Sequence, residues 1–249
     1  MRLLYLISIV LYFCSCYSSK TTGEAGTAAG DIKASSDNGE WKLKWQDEFN
    51  YSGPPDSSKW NYDTGGHGWG NNELQYYTAN DTLNAMVENG ALKIIARKQV
   101  KENRGYTSAR LQTKNKAEFK YGKIEIRAKL PAGRGAWPAI WMLGKNIDEK
   151  KWPGCGEIDI MEHVGYEKDS IFGTIHTASY NHMKGTQKVR SIFIADPYTS
   201  FHVYSIEWTP EKIDFLVDGV VYNHIANEYL SEKEWPFDQP FFLILNLAI

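Results

Sequence analysis

The sequence predicts an all-β protein, an antiparallel sandwich of two packed sheets. Three observations carry that expectation. Short runs alternate apolar and polar residues, Gly, Asn, Asp and Pro separate the runs, and no stretch holds a helical period for three turns. A chain of 249 residues is long enough to bury a sizeable core in one large domain, and no internal repeat is visible. The formal net charge of -2 gives no basic footprint for nucleic acid, and no acidic block suggests a solvating tail. With 9 Trp and 15 Tyr the aromatic content exceeds ordinary core needs, which suits a groove that stacks on flat ligand faces.

Taken from the N-terminus, MRLLYLISIVLYFCSC has Arg2, an apolar stretch from Leu3 to Phe13, then small residues and cysteine. That pattern predicts an export signal over residues 1–15, too short for a membrane span. Its tail resembles a bacterial lipoprotein signal, with Cys16 as the acylated first residue of the mature chain. An ordinary cleaved secretion signal is the alternative, and both readings take the protein out of the cytoplasm. Residues 16–39 are rich in Ser, Thr, Gly and Ala without apolar period and read as a flexible linker. Of the three cysteines, Cys14 leaves with the signal and Cys16 carries lipid. Cys155 remains, so no disulfide is predicted.

Residues 40–249 read as the folded domain. ALKIIARK, YTSARLQT, SIFGTIHT, FHVYSIEW and PFFLILNLAI read as strands. In YGKIEIRAKL, Lys123, Glu125, Arg127 and Lys129 share a wet face while Ile124, Ile126, Ala128 and Leu130 share a packed one. KIDFLVDGVVYNHI places Asp218-Gly219 between two β-rich runs, where that dipeptide supplies the positive φ angles of a tight hairpin. GHGWGNNELQYY is too polar and Gly-rich for a strand centre and reads as a loop at a groove edge. The chain stops inside the apolar PFFLILNLAI, which suggests that the last strands of the sandwich are missing from this sequence.

GEIDIMEHVG, residues 156–165, places Glu157, Asp159 and Glu162 in a run that otherwise reads as a buried strand. Residues two apart share a face, so after Glu157 and Asp159 the next position is 161, yet the acid comes one place late. A β-bulge resets the parity, and with Met161 as the extra residue all three acids face one groove. Three acids on one face repel, so at least one stays protonated near neutral pH. A retaining glycosidase needs that division, with one ionised and one protonated carboxyl about 5 to 5.5 Å apart. Four strand steps span on the order of 13 Å, so the two Glu side chains must lean together over Asp159. A divalent metal site and a plain solvated face are the other readings of the same acids.

GEIDIMEHVG resembles the active-site strand of glycoside hydrolase family 16, in the bulged Glu-x-Asp-x-x-Glu form of its laminarinase branch of endo-β-1,3-glucanases. WQDEFN at 45–50, GWGNNELQYYT at 68–78, RGAWPAIWML at 134–143 and WPFDQPFFLILNLAI at 235–249 are similar to family segments in the family order. The resemblance spans about residues 40–249. It implies a concanavalin-like β-jelly roll and retaining double displacement on β-1,3-glucan, with Glu157 as nucleophile, Asp159 as assisting acid and Glu162 as general acid/base. It implies a possible structural calcium. No cofactor is expected to be required, and the expected monomer meets a membrane only through the lipid that the N-terminal signal predicts on Cys16.

Around the acids, Trp137 and Trp141 share a face if their segment is extended. They are either core or sugar platforms, and the resemblance implies platforms. Asn71 and Glu73 suit sugar hydroxyls, with Trp69 as a further platform. By resemblance Arg110 lies near the cleavage point and His176 on the leaving-group side. Strand parity turns His163 to the opposite face, and Cys155 reads as a packed thiol. No Cys/His spacing suits zinc and no calcium loop pattern is present. The competing functions are a non-catalytic carbohydrate-binding jelly roll, a structural or adhesive surface protein, and a same-family hydrolase of mixed-linkage β-glucan, agar, porphyran or carrageenan.

Overall fold

The structure is a computed structural model that describes the backbone of residues 7–12 and the whole of residues 41–249. The expected linker and Cys16 lie outside the described residues. In chain order the first strands are β1 (Ile7–Tyr12), β2 (Asn61–Asp63), β3 (Gln75–Tyr77), β4 (Ala85–Glu88), β5 (Ala91–Lys101) and β6 (Arg104–Ser108). Next come β7 (Arg110–Gln112), β8 (Gly122–Lys129), β9 (Trp137–Gly144), the single helical turn α1 (Ile147–Lys150), β10 (Glu157–Glu162) and β11 (Ser170–His176). The rest are β12 (Lys188–Phe193), β13 (His202–Trp208), β14 (Lys212–Val217), β15 (Val220–Ala226) and β16 (Phe241–Ala248).

Among the described residues these strands form two sheets. One runs β15-β14-β13-β8-β1-β5-β6-β3 with β4 on β5, and the other runs β12-β11-β10-β9-β16-β7-β2. Described pairings are antiparallel except β3 with β6. Ile126, Tyr204, Ile206, Trp208 and Phe215 of the first sheet pack on Ile140, Met142, Ile158, Ile171, Leu243 and Leu245 of the second. This dry layer is the core, and burying such large side chains is the main force holding the sheets together.

Close approach of the sheets has a local cause at Gly173 of β11. A Cβ there meets Phe215 Cδ1 at 2.7 Å, so glycine lets the partner sheet's aromatic ring lie directly on the β11 backbone. The hairpin expected at Asp218-Gly219 joins β14 to β15, with φ of 50° and 79° at the two turn residues.

Several details differ from the sequence reading. YTSARLQT is two strands, because the chain switches sheets at buried Ala109, with β6 in one sheet and β7 in the other. The polar loop ends earlier than expected, since Gln75–Tyr77 forms β3 on the sheet edge. β16 pairs with β9 on one side and β7 on the other, and all eight of its residues are buried. At the N-terminus, Ile7–Tyr12 pairs with both β5 and β8. These residues also fall in the expected export signal, because an apolar β-rich run satisfies either use.

Candidate active site

Alternation along β9 sorts its side chains. Ile140 and Met142 enter the core while Trp137, Ala139, Trp141 and Leu143 line a cleft of about 410 Å³ on the outer face of the same sheet. β16 follows the same rule, with Leu243, Leu245 and Leu247 inward and Phe242, Ile244, Asn246 and Ala248 outward. The segment after β9 covers the apolar half of that outer face, where Ile147, Trp152 and Cys155 pack on Leu143, Phe242 and Ile244. The uncovered half, with Asn246 and Ala248, is the cleft. Cys155 is a packed thiol as expected, its pKa pushed up to about 12 by burial.

The acid strand β10 lies between β9 and β11. Against β9, Asp159 faces Trp141 and Met161 faces Ile140, so Ile160 is the residue without a cross-strand partner. The expected extra residue was Met161. Against β9 the unpaired residue is Ile160, one place earlier, and against β11 neither Ile160 nor Met161 has a register partner, while the core takes both side chains. The consequence for the acids is the expected one, and Glu157, Asp159 and Glu162 all line the cleft. Gly156 enters this strand at φ 80°, and a Cβ there meets Pro236 Cγ at 2.7 Å, so only glycine turns the chain tightly into Glu157.

Each outer acid holds one indole. Trp152 Nε1 donates to Glu157 Oε2 at 2.7 Å, and Trp137 Nε1 donates to Glu162 Oε1 at 3.1 Å. Burial raises all three carboxyls above their usual range. Glu157 reaches about 7, held down by a hydrogen bond from Asp159 and by the Trp152 indole. Asp159 is raised well above its ordinary value, through burial and then through the charges of Glu157 and Glu162, and its hydrogen bond to Glu157 favours its protonated form. The proton therefore sits on the buried central acid, which donates it toward Glu157 and leaves Glu157 as the carboxylate. His176 Nε2 lies 3.4 Å from Asp159 Oδ2 and 3.9 Å from Glu157 Oε1. Burial lowers the His176 pKa to about 4, so the imidazole is neutral beside the acids at neutral pH.

The remaining expected contacts take varied roles. Trp137, Trp141, Trp69, Asn71, Glu73 and Arg110 all line the cleft. The Arg110 guanidinium lies 4.7 Å from the Trp69 ring and 4.6 Å from the Trp141 ring, and its Nε donates to Asp63 at 2.8 Å. It fixes both rings and covers part of each. Glu73 serves the wall itself. Its Oε2 accepts from Gln75 and from Tyr77, whose hydroxyl receives Asn246 Nδ2, while Asn246 Oδ1 receives the Trp141 indole at 2.7 Å. His163 faces away as parity required, with Nδ1 3.0 Å from Ser170 O and Nε2 3.3 Å from the Tyr198 hydroxyl.

Sequence reasoning missed Trp152, His182 and Asn246. Trp152 and His182 stack with ring centroids 4.9 Å apart, on two loops whose meeting no periodicity reports. Asn246 did carry a signal, as the one polar side chain on the outward face of an apolar strand.

Comparison with known proteins places this geometry among relatives. Residues 71–248 match Glycosyl hydrolases family 16. A Beta-glucanase of Rhodothermus marinus is 56% identical over 216 residues, covering 84% of this chain and 76% of that protein. A Glucan endo-1,3-beta-glucosidase of Cryptopygus antarcticus is 40% identical, covering 85% and 81% of the two chains. The X-ray structure of the laminarinase from Rhodothermus marinus superimposes with a TM-score of 0.83 at 53% identity, over 84% of this chain and 86% of that one.

The raised Asp159 pKa has a consequence for stability. An acid whose folded pKa is raised stabilises the fold fully below its ordinary value near 4, and that contribution is lost as pH rises through the folded value. Asp159→Asn escapes the loss. Its Tm should exceed that of the parent by a margin that widens between about pH 4 and about pH 8 by at least about 2–4 °C, while turnover falls. Melting curves across that range check this, and a margin independent of pH would refute the burial argument.

Proposed function

This chain belongs to glycosyl hydrolase family 16, and on that premise we propose that it is a retaining endo-glycosidase that cleaves β-1,3-glucan of the laminarin type. The observation that carries the reading is the cleft arrangement, with Glu157 and Glu162 at the two ends of a bulged strand and a proton-bearing Asp159 between them. The activities named for the relatives, glucan endo-1,3-beta-glucosidase and laminarinase, support the substrate.

In the first step Glu157, kept anionic by the Asp159 proton and the Trp152 indole, attacks the anomeric carbon. Glu162, whose raised pKa lets it hold a proton, gives that proton to the departing glycosidic oxygen. In the second step Glu162 as carboxylate takes a proton from water, which attacks the anomeric carbon and frees Glu157. Trp137 and Trp141 offer ring surface to the apolar faces of neighbouring glucose units, and Asn71 offers its amide to hydroxyls. His176 stands beside Asp159 and Glu157, at the nucleophile's end of the strand. A binding module without catalysis gains nothing from three buried acids, since the burial costs stability.

Glu157→Gln and Glu162→Gln should each lower release of reducing ends from laminarin by about 10²-fold or more, with lichenan, agarose and κ-carrageenan as the comparison substrates. Either variant keeping more than about a tenth of the parental rate removes the assigned role.

The reading extends to location. An enzyme acting on an external polymer suits export and retention, with cleavage before Cys16, lipid on that cysteine and residues 16–39 as the tether of a monomeric catalytic domain. Among the described residues no helix is long and apolar enough to cross a membrane. Such processing removes Ile7–Tyr12 and with it the ladders to β5 and β8. In a bacterial host, Cys16→Ser should move the protein from the membrane fraction to the soluble one. Unchanged membrane association contradicts the anchor.

A further inference from the structure

Glu157, Asp159 and His176 also form a compact group of possible metal donors. One ligand atom from each lies within 4.8 Å of the other two, on the adjacent strands β10 and β11. A tetrahedral zinc ion bound at about 2.0–2.2 Å sets its donors on the order of 3.3–3.6 Å apart. His176 Nε2 is already 3.4 Å from Asp159 Oδ2 and 3.9 Å from Glu157 Oε1. Two oxygens and one imidazole nitrogen around an open fourth position is the donor set of an accessible zinc site.

A second observation points into the same space. Asp159 is 3% exposed, and its Oδ2 has no hydrogen-bond partner among the described residues. An unpartnered oxygen this deep is costly, and a cation beside it removes the cost. Calcium and magnesium are hard cations that take oxygen donors, whereas imidazole with carboxylate suits zinc and its neighbours.

We propose that Glu157, Asp159 and His176 bind one borderline transition-metal cation, such as zinc, and that the bound ion reversibly arrests the enzyme. The ion displaces the Asp159 proton to water and occupies the Glu157 carboxylate, so that oxygen cannot attack the anomeric carbon. The binding half stands on geometry alone, and the arrest rests on the catalytic reading above. Affinity is modest. His176 Nδ1 has no hydrogen-bond partner among the described residues, and an unsupported histidine ligand typically forfeits about 10- to 100-fold in affinity.

The test is calorimetric titration of zinc chloride into the full chain carrying Cys14→Ser and Cys16→Ser, which removes competing thiols, with laminarin hydrolysis followed in parallel. The expected result is one zinc per chain, inhibition with a midpoint matching the calorimetric Kd, full recovery with EDTA, and no response to calcium or magnesium at the same concentration. His176→Gln should weaken zinc binding by about 10-fold or more. Asp159→Asn should do the same and serves if the histidine variant does not fold. His224→Gln, which removes a largely exposed histidine paired with Asp214 on β14, should leave binding unchanged. Absence of zinc binding, or equal affinity in His176→Gln, Asp159→Asn and the parent, overturns the site. Zinc binding that depends on His176 in a protein without glucanase activity leaves the site standing and removes the catalytic reading instead.

Discussion

The register shift at Ile160 governs the rest of this molecule. With even pairing, Glu157 and Asp159 would share the outward face while Glu162 pointed into the layer of Ile158, Ile171 and Phe215, where an unpaired carboxyl is strongly destabilising. One extra residue on β10 moves Glu162 onto the face of the other two acids and buries Ile160 and Met161 instead. The apolar side chains within the bulge hold it in place, so the packing of the core and the geometry of the cleft have a single cause.

Electrostatics follow from that placement. Three carboxyls at the base of a cleft, each raised by burial, cannot all ionise at neutral pH. Their environments then separate them. Asp159 is the most buried and holds a proton, Glu157 has the Trp152 indole and the Asp159 proton to support its charge, and Glu162 has only the Trp137 indole. The separation assigns one acid to attack and the other to proton transfer, and it comes from which loop or strand delivers each indole. The same crowding places an imidazole and two carboxyl groups at spacings that a small cation can use.

Much of this was legible in the sequence, for identifiable reasons. Period-two alternation exposed the strands, and parity along β10 demanded a bulge, because both are properties of residues adjacent in sequence. Parity alone did not locate the bulge, since Ile160 and Met161 are both apolar and the core takes both. Trp152 was hidden because its contact with Glu157 depends on the fold of a loop. The hydrogen bonds of Glu73 within the wall were hidden because a carboxylate that receives Gln75 and Tyr77 looks the same in sequence as one that receives a sugar. Ile7–Tyr12 shows the limit most clearly, since one apolar run satisfies both an export signal and a strand between β5 and β8.

The central claim is that the bulged strand sets Glu157 and Glu162 for two successive displacements at one carbon. The most direct measurement is proton NMR of the anomeric signals during the first minutes of hydrolysis of a β-1,3-linked glucose oligosaccharide, before mutarotation mixes the products. Two displacements predict that the β-anomer of the new reducing end appears first and the α-anomer only later. Initial release of the α-anomer would mean a single displacement by water and would contradict the account.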